Sequence, residues 1–548
     1  MPPMHKVALG AVVGATLLAA GPAGAQTATV SKQIDSLQQQ IQAMQQQLQA
    51  LQSQVQQSQD AAKQAQAQAA AAQAAAANPP APTGPHVTQT AGNHFGLSSA
   101  DGKNTIELTG RYQMDFGDYV SYDKASDHTS PNYLNSGVNA RRARIGVTGL
   151  FGGDWKYWLI YDFGGSSDSF NPLVPGSGSS GIENGYVEYT GFKPFVIDLG
   201  YMDTPYTLDE PTGSNDIMFM ERASVQQLAA NMAAGDNRAA FGGHWNDDRA
   251  WVGVYLTGPT SGALHSLAQT TLAPAASATA TQSCPVATKS GKTAATCTID
   301  QVYTAGFGGS AEQLGAFGRV AYQVLQSDDY SLHIGADVEG LIQPPHTSSG
   351  VRGISFSDRP ELRIDPTTLI GLSISGVSGA AVYSGEAAGQ FGPVFVQGEY
   401  YGFNISRDVG TDIDFDGGYI ETAVSLTGDV RKYNPSSGAY SMPKPAAPFA
   451  WGDGGFTGPG AWELAFRYSW VDLNQGTEIS GGKVVGNGGD QRVYTFGVNW
   501  YVNNNVRFDF DYLHGDIDKA VGVGSPVTSF APGGQSFDAV AVRSQFIW

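Results

Sequence analysis

The chain has 548 residues and a formal net charge of −19, with only 14% charged residues and 70 glycines. So negative a surface repels nucleic acid and argues against nucleic-acid binding. The mean hydropathy of −0.20 is too polar for a membrane protein built of helices, whereas many glycines and aromatic residues favour turns and pleated strands.

The N-terminal segment has the pattern of a secretory signal peptide. Lys6 supplies a positive charge, residues 7–20 are apolar, and the sequence AGA at 23–25 suits signal-peptidase cleavage. The apolar run is short for a helix that spans a bilayer, and no run of about 18 apolar residues follows it. We therefore predict that residues 1–25 are removed during export.

Residues 26–77 are predicted to form a coiled-coil helix that extends into an Ala/Gln-rich helix. Apolar residues recur at alternating spacings of four and three, as in a coiled-coil seam: Val30, Ile34, Leu37, Ile41, Met44, Leu48, Leu51 and Val55. An isolated helix with so narrow an apolar stripe would be unstable, and we therefore expect partner helices. The prolines after Asn78 end the helix. We predict that this coiled coil lies in the periplasm, that residues 78–95 are a linker, and that residues 96–548 form a separate domain.

Beyond the linker, apolar and polar residues alternate as in β-strands, for example at 105–116, 330–339, 461–471 and 506–512. Alternation also fits a half-exposed soluble sheet. Aromatic residues at strand ends, charges on the polar faces and a last strand that ends on Trp548 favour a barrel in lipid. The prediction is an all-β, transmembrane antiparallel β-barrel preceded by a short α-helical coiled coil.

The strand count follows from the alternating segments. About 17 candidates occur, and because a single-chain barrel of this kind needs an even number, we expect about 16 strands around an aqueous channel. Residues 360–370 are the weakest candidate. Asn503-Asn504 predicts a tight periplasmic turn, and residues 259–313 predict an external loop.

Two cysteines, Cys284 and Cys297, lie in this predicted external loop. Because the protein is exported to an oxidising compartment, we expect a disulfide between them. The alternative interpretation is a pair of free thiols in the loop.

Strand parity places seven arginines on the polar faces as candidate pore-lining residues: Arg111, Arg142, Arg144, Arg319, Arg467, Arg507 and Arg543. Arg141 has the opposite parity and is expected at a strand end. The same faces carry seven carboxylates: Glu107, Asp115, Asp337, Glu339, Glu463, Asp509 and Asp511. An anion channel needs arginine or lysine rows that face the pore, so this balance leaves a general pore and an anion channel both open.

Several motifs, in this order, resemble the phosphate-selective porin O and P family: 141–147 (RRARIGV), 155–162 (WKYWLIYD), 219–222 (FMER), 462–469 (WELAFRYS) and 497–501 (GVNWY). The resemblance spans nearly the whole barrel. It implies a 16-stranded outer-membrane barrel, usually a homotrimer in lipid, with a constriction loop folded into the pore.

The resemblance places the constriction loop at residues 203–237, with Asp203, Asp209, Glu221 and Arg222 as candidate constriction residues. The sequence departs from the family pattern at two points. Asp203 stands where a basic residue is common, which puts anion selectivity in doubt, and the last residue is Trp548 where phenylalanine is usual.

We predict a porin with a water-filled channel for passive diffusion of small hydrophilic solutes, without cofactor, metal or enzyme activity. The alternatives are an anion-, phosphate- or polyphosphate-selective porin, and an envelope-tethering protein or adhesin. Residues 412–417 resemble the start of a calcium loop, but Ala423 stands where a bidentate glutamate is needed. Two Ser-x-x-Lys patterns, at Ser121 and Ser480, lack the accompanying motifs of acyl enzymes.

Overall fold

The structure is a computed structural model. It has two compact units, residues 1–82 and 83–548. The expected signal peptide lies outside the described residues. These are 26–77, 83–89, 95–122, 133–164, 181–235, 237–260, 280–284, 295–299, 313–327, 330–346, 351–408, 410–452, 455–480, 483–523 and 529–548.

The first unit contains one helix, α1 (Gln26–Ala77). Its apolar residues are exposed along the predicted seam: Ile34, Leu37, Ile41, Met44, Leu48, Leu51 and Val55. This exposure fits a helix that needs partners, and the coiled coil stays a prediction. Of the helices in the described residues, none is both long and apolar enough to cross a bilayer.

In the second unit, sixteen described strands pair with their sequence neighbours in an antiparallel barrel, which confirms the predicted fold. They are β1 (Thr105–Tyr122), β2 (Gly137–Phe151), β3 (Trp155–Asp162), β4 (Gly181–Tyr189), β5 (Phe195–Asp203), β6 (Asn237–Asn246), β7 (Ala250–Thr260), β8 (Leu314–Gln326), β9 (Tyr330–Gln343), β10 (Val377–Phe391), β11 (Val394–Arg407), β12 (Ile413–Ser425), β13 (Ala461–Ser480), β14 (Lys483–Tyr501), β15 (Val506–Asp518) and β16 (Gln535–Ile547).

The barrel closes where β16 pairs with β1. The backbone of Trp548 continues this seam, because its N–H donates to the Gly110 carbonyl at 3.1 Å and its carbonyl accepts from the Gly110 N–H at 2.9 Å. A Cβ atom at position 110 would lie 2.1 Å from the Trp548 ring. The terminal indole therefore requires a residue without a side chain on the strand that it closes against.

Side chains alternate between two environments along the strands. On β1, Ile106, Leu108 and Phe116 are exposed, whereas Gln113 and Asp115 are buried. The exposed apolar face points outwards, as lipid requires, and the polar face points into the barrel. The alternation that predicted the strands therefore also predicted their orientation.

The two ends of the barrel differ in their connections. We call the end that holds Thr105 and Trp548 the turn end, and the opposite end the loop end. Short turns join strands at the turn end, among them the predicted Asn503-Asn504 turn, in which the Asn503 side chain accepts the N–H of Val506 at 2.9 Å. One turn-end connection departs from this pattern, because residues 426–460 form a long segment between β12 and β13.

Short hairpins accompany the barrel: His86–Gln89 with Phe95–Ser98, Ala280–Cys284 with Ala295–Ile299, Gly353–Asp358 with Ile370–Ser375, Lys432–Asn434 with Ala439–Ser441, Trp451–Gly452 with Gly455–Phe456, and Ala520–Val523 with Ser529–Pro532. The weakest strand candidate, 360–370, lies between the two strands of the third hairpin and overlaps the second of them only at its last residue. Cys284 pairs with Ala295, and Cys297 pairs with Gln282, so the cysteines are not opposite each other and the disulfide stays a prediction.

Candidate functional site: a lumen occupied by three segments

Three connections fold into the barrel. Loop A (204–236) enters from the loop end after β5 and contains helices α2 (Asp209–Thr212) and α3 (Ser224–Met232). Its apolar side chains, including Tyr206, Leu208 and Phe219, are almost completely buried. Loop A occupies the position at which the constriction loop is predicted.

Loop B (344–376) also enters from the loop end, and Glu361 is its main anchor. The carboxylate of Glu361 accepts hydrogen bonds from Arg467 at 2.7 Å and from the backbone N–H of Ser224 at 3.0 Å. The second bond caps the first turn of α3, where backbone N–H groups lack helical partners. Glu361 has a φ of 57°, which is strained for a residue with a side chain. Its burial and its contacts hold it there.

Loop C (426–460) enters from the turn end. Arg431 forms a bidentate ion pair with Glu463 at 3.0 and 2.9 Å, and it donates to the carbonyl of Asp216 in loop A at 2.6 Å. On the other side of the lumen, Arg319 donates to the carbonyls of Ser437 and Gly438 at 2.9 and 2.8 Å. Loop C therefore links loop A, through Asp216, to the wall strand β8, which carries Arg319.

Glu221 of loop A lies at the centre of a cluster of guanidinium groups. Arg141 donates two hydrogen bonds to it at 2.5 and 2.8 Å, Arg543 lies 3.2 Å away, and Arg363 of loop B lies 3.4 Å away. Burial alone would raise the pKa of Glu221, but Arg141, Arg142 and Arg363 outweigh it and hold the pKa well below its ordinary value. Glu221 is therefore a charged anchor for loop A.

The expected position of Arg141 at a strand end is wrong. Arg141 lies inside β2 and is buried beside Arg142. The register explains this, since Gln113 pairs with Arg142 but Asp115 pairs with Asn139. A β-bulge therefore turns two consecutive side chains to the same face, which strand parity does not predict.

The structure places all seven predicted pore-lining arginines on inward-facing positions, and four of them donate to backbone carbonyls of the inserted loops. Besides its bonds to loop C, Arg319 pairs with Glu386 at 2.9 Å. Arg507 donates to the carbonyl of Ile217 at 2.8 Å, and Arg543 donates to that of Met220 at 2.5 Å. Arg467 donates to the carbonyl of Glu221 at 2.8 Å. These guanidinium groups fix the backbone of loops A and C.

The remaining three arginines are on β1 and β2. Arg144 pairs with Asp162 at 2.8 Å and with Glu183 at 2.5 Å. Arg142 donates to the side chain of Gln113 at 2.7 Å, and Arg111 donates to the hydroxyl of Ser214 in loop A. Within the described part of the chain, Arg111 and Arg142 have no carboxylate at ion-pair distance.

The other predicted constriction residues separate into two groups. Asp209 and Arg222 are buried within loop A, 3.4 Å apart. Burial raises the pKa of Asp209 despite this contact, and the nearby Glu210 adds to the effect. Asp203 is exposed at the end of β5, opposite Asn237, so it is not packed among the residues that fill the lumen.

Carboxylates on β9 and β11 hold loop A from the side opposite Glu221. Glu399 accepts the backbone N–H of Leu208 at 2.7 Å and the hydroxyls of Tyr401 and Tyr419 at 2.8 and 2.6 Å. Asp337 accepts the N–H of Thr207 at 3.2 Å. These buried carboxylates therefore accept hydrogen bonds from backbone N–H groups that would otherwise be unsatisfied.

One part of the wall remains open to water, and we call β2 to β5 the open wall. Several of its inward-facing side chains are only part-buried, including Lys156, Glu188 and the stacked pair Trp158 and Tyr186, whose ring centroids are 4.5 Å apart. Lys156 pairs with Glu188. None of these residues was among the predicted site residues, although alternation in the 155–162 motif already places Lys156 and Trp158 on one face.

The described residues include no group of three or more His, Cys, Asp or Glu side chains that would hold a metal ion. Asp414 and Asp416, within the calcium-like sequence, lie on β12 and are exposed. Strand geometry therefore replaces the loop that calcium binding would need.

The sequence model of the phosphate-selective porin O and P family matches residues 106–548. Porin O of Pseudomonas aeruginosa is 25% identical over 441 residues, which cover 77% of this chain and 85% of Porin O. An uncharacterized protein of Caulobacter vibrioides is 27% identical over 420 residues, which cover 75% of this chain and 68% of that protein. Among solved structures, an anion-selective porin from Comamonas acidovorans is 13% identical with a TM-score of 0.43, covering 81% of this chain and 100% of that one.

Proposed function

The chain belongs to the phosphate-selective porin O and P family and is an outer-membrane channel for passive diffusion, and we propose that it passes small hydrophilic solutes with weak discrimination between anions and cations. Family membership supports a channel rather than an enzyme. The selectivity, the oligomer and the periplasmic position of α1 are the parts that we propose.

The hydrogen bonds of the inward-facing arginines are the observation that supports weak selectivity. Arg319, Arg467, Arg507 and Arg543 donate to loop carbonyls and to carboxylates. A guanidinium group binds a permeating anion through the same fork of donors. Four of the seven predicted pore-lining arginines therefore support the backbone of the loops, Arg111 donates to the Ser214 hydroxyl of loop A, and few donors remain for solutes.

The open wall supports the same proposal, because it carries charges of both signs in adjacent pairs. Arg144 is matched by Asp162 and Glu183, and Lys156 is matched by Glu188. Selectivity by charge requires a surplus of one sign along the path. The paired charges keep this wall hydrated without such a surplus.

A modest anion preference is the second candidate. Arg111 and Arg142 have no carboxylate at ion-pair distance among the described side chains, and Arg111 is only half-buried. Two such groups on neighbouring strands would attract anions to β1 and β2. This second proposal concerns the degree of selectivity, and passive diffusion is common to both.

We further propose that the turn end faces the periplasm, because barrels of this class have short periplasmic turns and longer external loops. The mature chain would then begin in the periplasm with α1. The exposed seam of α1 needs partner helices, and a homotrimer, which the family resemblance implies, would supply them.

The test is single-channel recording of the mature protein in a planar bilayer, with a potassium chloride gradient and with phosphate titrated in. We expect ohmic steps, a reversal potential close to zero and no block by phosphate. An anion-selective reversal potential with block at low phosphate would establish the second candidate. The absence of any conductance would leave an envelope-tethering role.

A further inference from the structure

Loop C crosses the rim of the barrel at the turn end, and we divide it into a lumen arm (430–442) and an outer arm (447–460). The lumen arm carries Arg431, whose partners Glu463 and Asp216 lie inside the barrel. At the other end of this arm, the backbone N–H of Met442 donates to the side chain of Asp216 at 3.0 Å. The lumen arm is therefore attached to loop A at two points.

The outer arm contacts side chains that point away from the lumen. The carbonyl of Pro459 accepts the indole N–H groups of Trp462 and Trp500 at 3.0 and 2.9 Å. The ring of Phe449 packs edge-on against that of Trp500, with centroids 5.3 Å apart. Trp462 stacks on Trp500 and precedes the inward-facing Glu463 on β13, so both indole rings are on the outer face of the wall. The outer arm therefore lies on the lipid-facing side.

A stiff segment joins the two arms. Pro443, Pro445 and Pro448 fix the backbone φ angle at three of its positions. The carboxylate of Asp429 accepts the backbone N–H of Ala446 at 2.7 Å, which attaches the segment to the start of loop C. Because few backbone torsions are free between the arms, a contact that immobilises the outer arm also restrains the lumen arm.

Trp451 is the most exposed side chain of the outer arm. Its exposed fraction is 77%, the highest of the large apolar side chains that the structure describes. Backbone hydrogen bonds between 447–450 and 457–460 make the outer arm an extended hairpin. Phe449 and Trp451 are two residues apart in this hairpin and therefore share a face, which is the face that packs against Trp500.

The outer arm continues a surface that lipid covers. Its described residues, 447–452 and 455–460, carry no charge, and Asp453 lies outside the described residues. Barrels in the outer membrane have a belt of aromatic residues at each membrane surface. Outward-facing rings in contact with one another form part of such a belt at the turn end: Trp462, Trp500, Phe508 and, from the outer arm, Phe449.

From these observations we propose that the outer arm of loop C binds the phospholipid leaflet at the turn end, with Trp451 anchored at the level of the headgroups. Tryptophan is enriched at this level because its ring is apolar and its N–H is polar. The anchored outer arm restrains the lumen arm and, through Asp216, loop A. The lipid contact does not depend on the channel function, and only the identification of this leaflet as the periplasmic one rests on the proposed orientation.

The experiment locates Trp451 by fluorescence quenching in the mature protein, reconstituted into vesicles of phosphatidylethanolamine and phosphatidylglycerol. The emission that Trp451→Phe removes is the contribution of Trp451. Three quenchers are compared: lipid brominated near the headgroup, lipid brominated near the chain ends, and iodide in the water. Two variants on β3 are matched controls, Trp155→Phe for an outward-facing ring that is 39% exposed and Trp158→Phe for an inward-facing one.

We expect lipid brominated near the headgroup to quench most of the Trp451 emission, as it should for Trp155. Iodide should quench Trp451 less than it quenches Trp158. Quenching by iodide alone would place Trp451 in water, and quenching by none of the three would place it beneath protein, such as a second copy of the chain. Either result, or quenching mainly by the deeper lipid probe, would overturn the proposal.

Single-channel recording tests the restraint of the lumen arm. Trp451→Ser removes the anchor and should raise the open-channel noise at an unchanged mean conductance, because loop C then moves more freely. The control Trp155→Ser removes an outward-facing tryptophan at the same end that is not part of loop C, and it should leave the noise unchanged. Unchanged noise in Trp451→Ser, or equal increases in both variants, would overturn the restraint. Quenching at the headgroup level without any conductance would retain the lipid contact and refute the channel function.

Discussion

Two ion pairs that face the same lumen differ mainly in their surroundings. Arg319 and Glu386 are 2.9 Å apart, and the exposed fraction of each side chain is 0%. Lys156 and Glu188 are also in contact, but the Lys156 side chain is 44% exposed. The first pair lies beneath loop C, whereas the second belongs to the open wall.

This difference separates structural charges from charges available to solutes. Removing one member of a buried pair leaves an uncompensated charge in a poorly hydrated site, which is costly. An exposed pair gains little from its contact, because water solvates either partner alone. An inward-facing arginine therefore contributes to selectivity only where no loop covers it.

The substitution Glu221→Gln should give the largest loss of stability. Arg141, at 5% side-chain exposure, would lose its bidentate partner, and breaking a buried pair costs about 3–5 kcal/mol. We expect a lower thermal unfolding midpoint, measured by circular dichroism in detergent, and noisier single-channel current as loop A loosens.

The control for this variant is Arg141→Gln, which breaks the same contact from the other side. Both variants should destabilise loop A, and because both side chains are buried, the reversal potential should stay close to that of the unmodified protein in either variant. An unchanged unfolding midpoint in Glu221→Gln would show that the loop is anchored elsewhere.

The sequence predicted the barrel well because lipid imposes a two-residue period on each strand. Alternation at 105–116 identified β1 and the face that points outwards, and an even strand count follows from closure. The same period failed at Arg141, because a β-bulge is set by the pairing of two strands and leaves no periodic signal.

The candidate site was less predictable from the sequence. Residues 203–237 were located through the family resemblance, but the partners of Glu221 come from β2, β16 and loop B, far apart in the chain. Loop C has no alternation that marks its entry into the lumen. Arg431 and Glu361 are ordinary loop residues by sequence, and only tertiary contacts show their function.

An intermediate effect is expected from pH. Burial raises the pKa values of Asp209 and Asp216 in loop A, whereas the arginine cluster lowers that of Glu221 against burial. A raised pKa stabilises the folded loop below the ordinary aspartate value and loses this contribution as pH rises through the raised value. A group with a lowered pKa stabilises the folded loop at pH values above the ordinary glutamate pKa of about 4.5. This contribution is lost only when the pH falls through the lowered pKa.

The open-channel current should therefore be less noisy at mildly acidic pH than at neutral pH, and loop A should loosen only well below a pH of about 4.5. Open-channel noise recorded as a function of pH measures this directly. The Glu221→Gln variant lacks the lowered group, so its noise should no longer rise at the acid extreme. Noise that rises steadily from neutral to mildly acidic pH would contradict the assignment of these signs.

The smallest effect on stability is expected on the open wall, where Glu188→Gln leaves Lys156 without its carboxylate. Because Lys156 is substantially exposed, the pair should contribute about 0–1 kcal/mol, and the unfolding midpoint should stay close to that of the unmodified protein. The reversal potential should still shift towards anions, since Lys156 then faces the water path unmatched. Large destabilisation without such a shift would place Glu188 among the structural charges. It would also remove the distinction between the buried ion pairs and those of the open wall.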